Sequence, residues 1–295
     1  MKIGLCGTGK MGAAMVKRLL SLNENVTVWN RDAAKLAPLV EAGAKQAASP
    51  AALVAESDII ITILLNAPAQ EAVYASANGV LSADLKGKIL IDMSTVLPEN
   101  QESLSVRVAA KGGAFIECPV GGTVGPAASG QLLGFVGGKN EDVARAKPLL
   151  EKLCRRIEHV GPVGSGAKLK LAVNLPLLVY WQALGEALAL CGPLDVTPAR
   201  LMDILADTAG SPNAVKHRGP DIAKALAGEA YGPSAFDVTA ARKDLATMAA
   251  FGKILNVPMP VTSAALSGFD EAIAAGLGEA DATSLSVMWA KRGKK

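Results

Sequence analysis

Hydrophobic and polar positions follow different patterns in the two halves of the chain. Up to about residue 160, short β-branched runs alternate with longer segments whose apolar residues recur at helical spacing. The predicted strands are Lys2–Cys6, Asn25–Trp29, Asp58–Leu64, Lys88–Asp92, Ala114–Glu117, Leu132–Val136 and Arg155–His159, and helical patterns between them include Met11–Leu22 and Pro98–Ala110. This alternation predicts a mainly parallel, doubly wound sheet with helices on both faces.

From Gly164 onward the strand signals fade, and stretches rich in Ala, Leu and Met at helical spacing replace them. The predicted helices are Ala167–Leu190, Pro198–Leu205, Phe236–Leu255 and Val261–Ala275. A segment rich in Gly and Pro, residues 161–166, marks the boundary. We therefore predict an α/β domain over residues 1–162 and an all-α domain over residues 163–295, joined by one long helix.

Composition narrows the function classes. The chain is 50% hydrophobic and 4% aromatic with a net charge of +3, which disfavours binding to nucleic acid or to an anionic membrane. The longest uncharged stretch near the middle, residues 171–185, is shorter than the roughly 20 residues that a bilayer requires and predicts a buried helix. The four cysteines form no CxxC pair, and the N-terminus enters a strand without a signal peptide. We expect a cytoplasmic protein with reduced thiols.

Three glycines, Gly7, Gly9 and Gly12, lie between the first predicted strand and an apolar helix. In this context the spacing is typical of a dinucleotide-binding loop of the Rossmann type. The first glycine permits the turn, the second lets a pyrophosphate approach, and the third lets the helix pack on the strand. An ordinary tight turn is the alternative. The predicted cofactor-loop residues are Gly7, Thr8, Gly9, Lys10, Met11 and Gly12.

The end of the second predicted strand bears on which dinucleotide is bound. Enzymes that use NAD usually place an acid there to bind the ribose, whereas this chain has the uncharged Asn30 followed by Arg31. Lys35 lies four residues further on, and two cations at this spacing repel each other unless an anion lies between them. The pattern favours NADP over NAD. In the alternative, Arg31 is a solvated charge and Asp32 contacts the ribose.

A lysine and an asparagine four residues apart, Lys170 and Asn174, share one face of the long predicted helix among apolar neighbours. Such a lysine either extends its ammonium group to solvent or has a function. Because a hydride-transfer cofactor is predicted, Lys170 is a candidate to stabilise the charge on a carbonyl oxygen and to exchange a proton with it. Lys168 is expected to point elsewhere. The two histidines, His159 and His217, lack metal-ligand spacing, and no metal is expected.

Several segments occur in the order typical of the β-hydroxyacid dehydrogenase family, which the chain resembles over essentially its whole length. The matching segments are Gly7-Thr8-Gly9-Lys10-Met11-Gly12, Asp92-Met93-Ser94-Thr95-Val96-Leu97-Pro98, Pro119-Val120-Gly121-Gly122-Thr123, the motif with Gly164, Gly166, Lys170 and Asn174, and Lys243-Asp244-Leu245. Among its 3-hydroxyisobutyrate dehydrogenase-like members, the chain is most similar to the NADPH-dependent glyoxylate and succinic semialdehyde reductases.

The resemblance implies a role for each matched residue. Lys170 and Asn174 would be catalytic. The implied cofactor contacts beyond the glycine loop are Asn30, Arg31, Lys35, Leu64, Leu65, Thr95 and Lys243, and the implied substrate contacts are Ser94, Gly121, Gly122 and Thr123. The chain departs from the family pattern at Gly121, where the family has a serine, and at Thr123, where it has a glycine. Pro176, inside the long helix, is expected to kink it.

The expected activity is NADP-dependent hydride transfer between a small β-hydroxyacid and its semialdehyde or keto acid, with Lys170 as general acid and base. The expected partners are a small carboxylate substrate and further copies of the chain, with neither nucleic acid nor membrane. NAD remains a possible cofactor. An imine reductase, a 6-phosphogluconate dehydrogenase and a catalytically idle NADPH-binding protein are the alternatives.

Overall fold

The structure is a computed structural model that describes residues 1–192, 194–230 and 234–292. The chain divides into two compact units, Met1–Lys170 and Leu171–Lys295. The predicted domain boundary lies eight residues earlier, so the first turn of the long helix belongs with the first unit rather than with the helical one.

The first unit contains all of the strands found in the described residues. They are β1 Lys2–Cys6, β2 Asn25–Trp29, β3 Lys45–Gln46, β4 Ile59–Thr62, β5 Ile89–Asp92, β6 Ala114–Glu117, β7 Val120–Gly121, β8 Leu132–Gly137 and β9 Cys154–Gly161. The helices are α1 Lys10–Ser21, α2 Ala37–Glu41, α3 Pro50–Ala55, α4 Ala67–Ala75, α5 Pro98–Ala109, α6 Val124–Ser129, α7 Asn140–Leu153, α8 Ser165–Leu190, α9 Pro198–Ala206, α10 Asn213–Leu226, α11 Val238–Ile254, α12 Pro260–Ala274 and α13 Ser284–Arg292.

One sheet carries these strands in the order β3-β2-β1-β4-β5-β6-β8-β7, with β9 paired to β8. The first six strands of this order are mutually parallel, and their spatial order is that of a Rossmann domain. β8 runs antiparallel to its neighbours β6 and β7 and parallel to β9, so β8 and β9 have the opposite direction to the other strands. The prediction of a mainly parallel Rossmann sheet followed by helices is confirmed.

Buried side chains cover both faces of this sheet. Along β4, Ile59 and Ile61 join the core on the side of α1, whereas Ile60 joins the core on the other side. Such uninterrupted apolar strands are the consequence of helices on both faces. The strand order reverses at the carboxyl ends of β1 and β4, and open α/β sheets bind their ligands at such a point.

Helix α8 is the longest in the described residues and continues through Pro176. The helix has 26 residues and extends beyond the uncharged stretch of residues 171–185 at both ends. By length and composition alone, α8 could cross a membrane, a test that the core helix of a soluble protein also passes. Within the second unit, Leu178, Trp181 and Leu188 of α8 pack in the helical core. The predicted helix Ala167–Leu190 is thus confirmed, while its kink at Pro176 stays a prediction.

Candidate active site

The turn between β1 and α1 depends on two glycines whose surroundings leave no room for a side chain. Gly7 has a φ of +101°, and a Cβ atom there would lie 2.2 Å from the carbonyl oxygen of Ile63. A Cβ at Gly12 would lie 2.0 Å from the carbonyl oxygen of Gly7. These glycines let α1 start directly against the ends of β1 and β4, as the sequence analysis predicted.

The N-terminus of α1 is open toward solvent. Gly9 is the N-cap residue and so provides no side-chain cap, and the first turn carries no acid. A Cβ at Gly9 would meet nothing within 4 Å. The first N–H groups of a helix have no partner within the helix, and together with the positive dipole end and the free space beside Gly9 they suit the phosphates of a dinucleotide. The exposed Gly9 and Lys10 lie on this side, whereas Thr8 is buried.

The residues that follow β2, where the sequence predicts the ribose of the cofactor, bond to the glycine loop and to one another. The Asn30 Nδ2 group donates a 2.9 Å hydrogen bond to Thr8 Oγ1, which joins the end of β2 to the glycine loop. Asp32 accepts a hydrogen bond from the backbone N–H of Ala34 and lies 3.8 Å from the Lys35 ammonium group. Asp32 is therefore used locally, while Arg31 remains exposed. The pair of Lys35 with Asp32 is solvated and contributes little, and the anion expected between Arg31 and Lys35 stays a prediction.

A buried carboxylate organises the ends of β4 and β5. Asp92 accepts hydrogen bonds from Thr62 Oγ1, from Gln101 Nε2 and from the backbone N–H of Ser94. The Ser94 hydroxyl in turn accepts a 2.9 Å bond from the Leu64 backbone N–H. Ser94 is 1% exposed, so its hydroxyl first serves to join two loops. Sequence reasoning assigned it to the substrate and missed the Asp92 network beneath it.

Predicted substrate residues lie between β7 and α6. Gly121 is partly buried, and a Cβ there would make ordinary contacts with Leu133 and Phe135, so a side chain is tolerated at this position. Gly122 has a φ of +123°, and its Cβ would lie 2.8 Å from Leu132. Thr123 is exposed. The bend at Gly122 therefore requires glycine, whereas position 121 has room for a larger residue.

Lys170 and Asn174 lie four residues apart on α8, as predicted. Lys170 is 6% exposed, whereas its neighbour Lys168 is exposed and lies 3.8 Å from the Glu102 carboxylate. Buried lysines are rare because desolvation disfavours the charged form. The contrast between the two lysines favours a functional role for Lys170.

A second buried carboxylate, Glu117, was missed by sequence reasoning. It ends β6, directly beside Asp92 of β5, and its Oε1 atom accepts a 2.8 Å hydrogen bond from the Gly166 backbone N–H in the first turn of α8. Burial raises the pKa of Glu117 to about 7, against the lowering effect of backbone N–H groups in this turn. Its one sequence signal is a charged residue at the end of an apolar strand.

The remaining predicted cofactor residues are placed as follows: Met11 in the first turn of α1, Leu64 and Leu65 after β4, Thr95 after β5, and Lys243 in α11 of the second unit. Leu64 is partly buried and Leu65 is 58% exposed. Lys243 forms an ion pair with the neighbouring Asp244. Within the first unit, the glycine loop, Leu64, Ser94, Asp92, Glu117 and the first turn of α8 follow one another in contact along the carboxyl ends of the strands.

Together, the Rossmann sheet and its open glycine loop define a dinucleotide-binding protein. Residues 2–161 match a family model described as the NAD binding domain of 6-phosphogluconate dehydrogenase. Residues 164–289 match one described as the NAD-binding domain of NADP-dependent 3-hydroxyisobutyrate dehydrogenase. The chain therefore belongs to the β-hydroxyacid dehydrogenase family and is an NAD(P)-dependent oxidoreductase of small hydroxy acids.

Individual relatives agree with this assignment. The chain is 36% identical over 281 residues to glyoxylate/succinic semialdehyde reductase 1 of Arabidopsis thaliana, covering 95% of this chain and 96% of the relative. A solved structure of Psf3 in complex with NADP+ and 2-OPP superposes with a TM-score of 0.86 at 27% identity, covering 97% and 99% of the two chains. A reductive aminase from Aspergillus terreus in complex with NADPH gives a TM-score of 0.65 at 25% identity, covering 96% and 97%. The imine-reducing alternative is thus only distantly supported.

Proposed function

We propose that the protein is an NADPH-dependent reductase of small aldehyde or keto acids, with glyoxylate and succinic semialdehyde as the first substrates to test. The observation that carries the proposal is the buried Lys170 on α8, in the unit that holds the open glycine loop. The similarity to the Arabidopsis reductase supports the substrate class. A bound nicotinamide supplies hydride to the carbonyl carbon.

The chain's own residues supply the acid and base chemistry in this proposal. Lys170 Nζ donates a proton to the carbonyl oxygen during reduction and takes it back during oxidation. Asn174, four residues on, holds the lysine or the substrate oxygen through its amide. The backbone of Gly121 and Gly122 and the Thr123 hydroxyl bind the substrate carboxylate, and the Ser94 hydroxyl, which can still donate its proton, adds a further contact.

The preference for NADP over NAD rests on the residues after β2. The position at which NAD enzymes usually carry an acid for the ribose holds the uncharged Asn30, whose amide donates to Thr8 Oγ1, and Asp32 caps the turn that follows. The exposed Arg31 provides a planar group suited to a phosphate. Structural relatives that hold NADP+ or NADPH support the same preference.

The proposal includes self-association in the cytoplasm. The exposed residues Ala172, Pro176, Ala183, Glu186 and Leu190 recur at helical spacing along one face of α8, and a second copy of the chain would cover this largely apolar stripe. Free cysteines at all four positions support a reducing compartment. Light scattering of the purified protein decides the first point: a mass of 30.1 kDa, that of one chain, contradicts it.

A turnover assay tests the function. Glyoxylate, succinic semialdehyde, tartronate semialdehyde and methylmalonate semialdehyde are offered with NADPH, and absorbance of the reduced cofactor is followed. Lys170→Met is expected to lower kcat by a factor of about 10² or more while NADPH affinity stays nearly unchanged. Lys168→Met is the matched control, because it removes an exposed lysine from the same helical turn.

Retained turnover in Lys170→Met would remove that residue from its proposed role. Binding of NADPH without oxidation of it by any aldehyde would favour the idle binding protein. Turnover only with a ketone and an amine together would favour the imine reductase.

A further inference from the structure

Glu117 is a buried carboxylate that the proposed chemistry does not use. It is 0% exposed, and its Oε1 atom accepts the backbone N–H of Gly166 at 2.8 Å. Its Oε2 atom is buried and has no hydrogen-bond partner in the part of the chain that the structure describes. A buried acid with half of its capacity unused costs free energy, so its presence calls for a physical reason.

The surroundings of Glu117 are shaped to admit its carboxylate. Gly137 of β8 pairs with Glu117, and a Cβ atom at Gly137 would lie 2.3 Å from Glu117 Oε1. A Cβ at Gly166 would lie 2.3 Å from the carbonyl oxygen of Phe135, also on β8. The first turn of α8 is therefore held against β8 on one side and by the carboxylate on the other.

The held turn is the one that leads into Lys170. The first N–H groups of a helix lack partners within the helix, and a carboxylate satisfies them while facing the positive end of the dipole. Lys170 follows Gly166 by four residues, one helical turn and about 6 Å along the axis. A displacement of the first turn therefore displaces the Lys170 backbone, and proton transfer tolerates little displacement.

We propose that Glu117 is a positioning residue that fixes the N-terminal turn of α8, and through it the ammonium group of Lys170. This inference rests on the proposed role of Lys170. Glu117 acts through the backbone of Gly166, so its ionisation changes the placement of Lys170.

Titratable groups around Glu117 determine when it is ionised. On β5 the neighbouring Asp92 raises its pKa, on its own strand end it is followed by the buried Cys118, and the N–H groups of α8 lower its pKa. Further out, α8 carries Lys168 and Lys170, and α5 carries Glu102. His159 of β9 bonds the carbonyl oxygens of Gly138 and Gly161. Glu117, whose pKa is about 7, changes charge in the range of ordinary assays.

The test is the pH profile of kcat for reduction in the wild type and in Glu117→Gln. The carboxylate is the stronger acceptor for the helix N–H groups, so wild-type kcat is expected to rise through about pH 7. Glutamine keeps the shape and one acceptor but cannot ionise. In Glu117→Gln we expect this acid limb to vanish, with kcat about tenfold below wild type at pH 8 and similar at pH 6. NADPH affinity is expected to stay unchanged.

Two further variants keep the outcome clear. Glu102→Gln removes an exposed acid near the start of the same helix and is expected to leave the profile unchanged. Glu117→Asp keeps the charge but shortens the side chain, so it should retain the limb at a lower kcat, and it serves if Glu117→Gln does not fold.

The positioning role is overturned if the pH profile of Glu117→Gln is unaltered. It is also overturned if this variant loses NADPH binding along with the acid limb. Lys170→Met separates this failure from that of the proposed function. If Lys170→Met is inactive at every pH while the Glu117 variants match the wild type, Lys170 keeps its role and only the inference about Glu117 falls.

Discussion

Two helices, α1 and α8, begin within the first unit at glycine-rich turns with a shared steric feature. A Cβ at Gly12, in the first turn of α1, would lie 2.0 Å from the carbonyl oxygen of Gly7. A Cβ at Gly166, in the first turn of α8, would lie 2.3 Å from the carbonyl oxygen of Phe135. In both places, the missing side chain lets a helix begin in direct contact with the backbone of the sheet.

The two turns differ in what faces their N–H groups. At α1 the N-cap Gly9 has no side chain, the first turn carries no acid, and a Cβ at Gly9 would enter open space, so there is room for the anion of a ligand. At α8 the chain supplies its own anion, Glu117. A glycine-rich helix start thus indicates an anion site, and only the surrounding strands determine whether that anion is a cofactor or a carboxylate of the protein.

The largest effect that tests this comparison is a methyl group at Gly12. Gly12→Ala forces the backbone of α1 away from Gly7, and the free energy of unfolding is expected to fall by about 2–3 kcal/mol, as for overpacked cores. NADPH affinity should fall with it, because the first-turn N–H groups move. Urea unfolding and fluorescence titration with NADPH measure the two quantities.

Gly9→Ala is the matched control within the same loop. Its φ of −68° suits alanine and the Cβ meets nothing within 4 Å, so stability is expected to change by less than about 0.5 kcal/mol. NADPH affinity should still fall, because the methyl group occupies the side from which phosphates approach. Unchanged affinity in Gly9→Ala would contradict the assignment of the open turn to the cofactor.

A second, smaller effect separates the closed turn from the open one by pH. The pKa of Glu117 is raised from its ordinary 4.5 to about 7 in the folded protein. Between these values the folded chain binds more protons than the unfolded chain, so its stability falls as the pH rises. The contribution is complete below about pH 4.5 and is lost as the pH passes 7. From pH 6 to pH 8 this loss amounts to about 1.4 kcal/mol.

Glu117→Gln removes this titration, so its free energy of unfolding should depend less on pH than that of the wild type over the same range. Parallel urea unfolding series at pH 6, 7 and 8 make the comparison. Equal slopes in both proteins would show that Glu117 does not titrate near neutral pH.

Much of the fold follows from local pattern. The strands Lys2–Cys6, Asn25–Trp29 and Ala114–Glu117 have the bounds predicted from their apolar runs, because each is buried on both faces. The two-residue strands β3 and β7 were not predicted, since they are too short to show a period. Helix α10 was also missed, because its interior Gly219 and Pro220 are signals that usually mark a turn.

The site was predicted less completely than the fold. The glycine loop and the pair Lys170 and Asn174 have fixed spacings along the chain, so the sequence alone identifies them. Glu117 lies 49 residues before its partner Gly166, and the hydrogen bond depends on the pairing of β6 with β8. Contacts of this kind arise from topology, which is why neither Glu117 nor the Asp92 network could be inferred from spacing.

The smallest expected effect concerns the cation beside the open turn. Arg31 follows β2 at the carboxyl edge of the sheet and is exposed. If it binds the 2′-phosphate of NADPH, Arg31→Ala should raise the KM for NADPH about fivefold, roughly 1 kcal/mol, and leave the KM for NADH unchanged. Lys111→Ala removes an exposed cation just before β6, at the opposite edge, and should change neither value. At the α8 turn the anion is Glu117 of the protein itself, so no cation is needed there to bind a ligand's phosphate. An unchanged ratio of the two KM values in Arg31→Ala would therefore remove Arg31 from the open site.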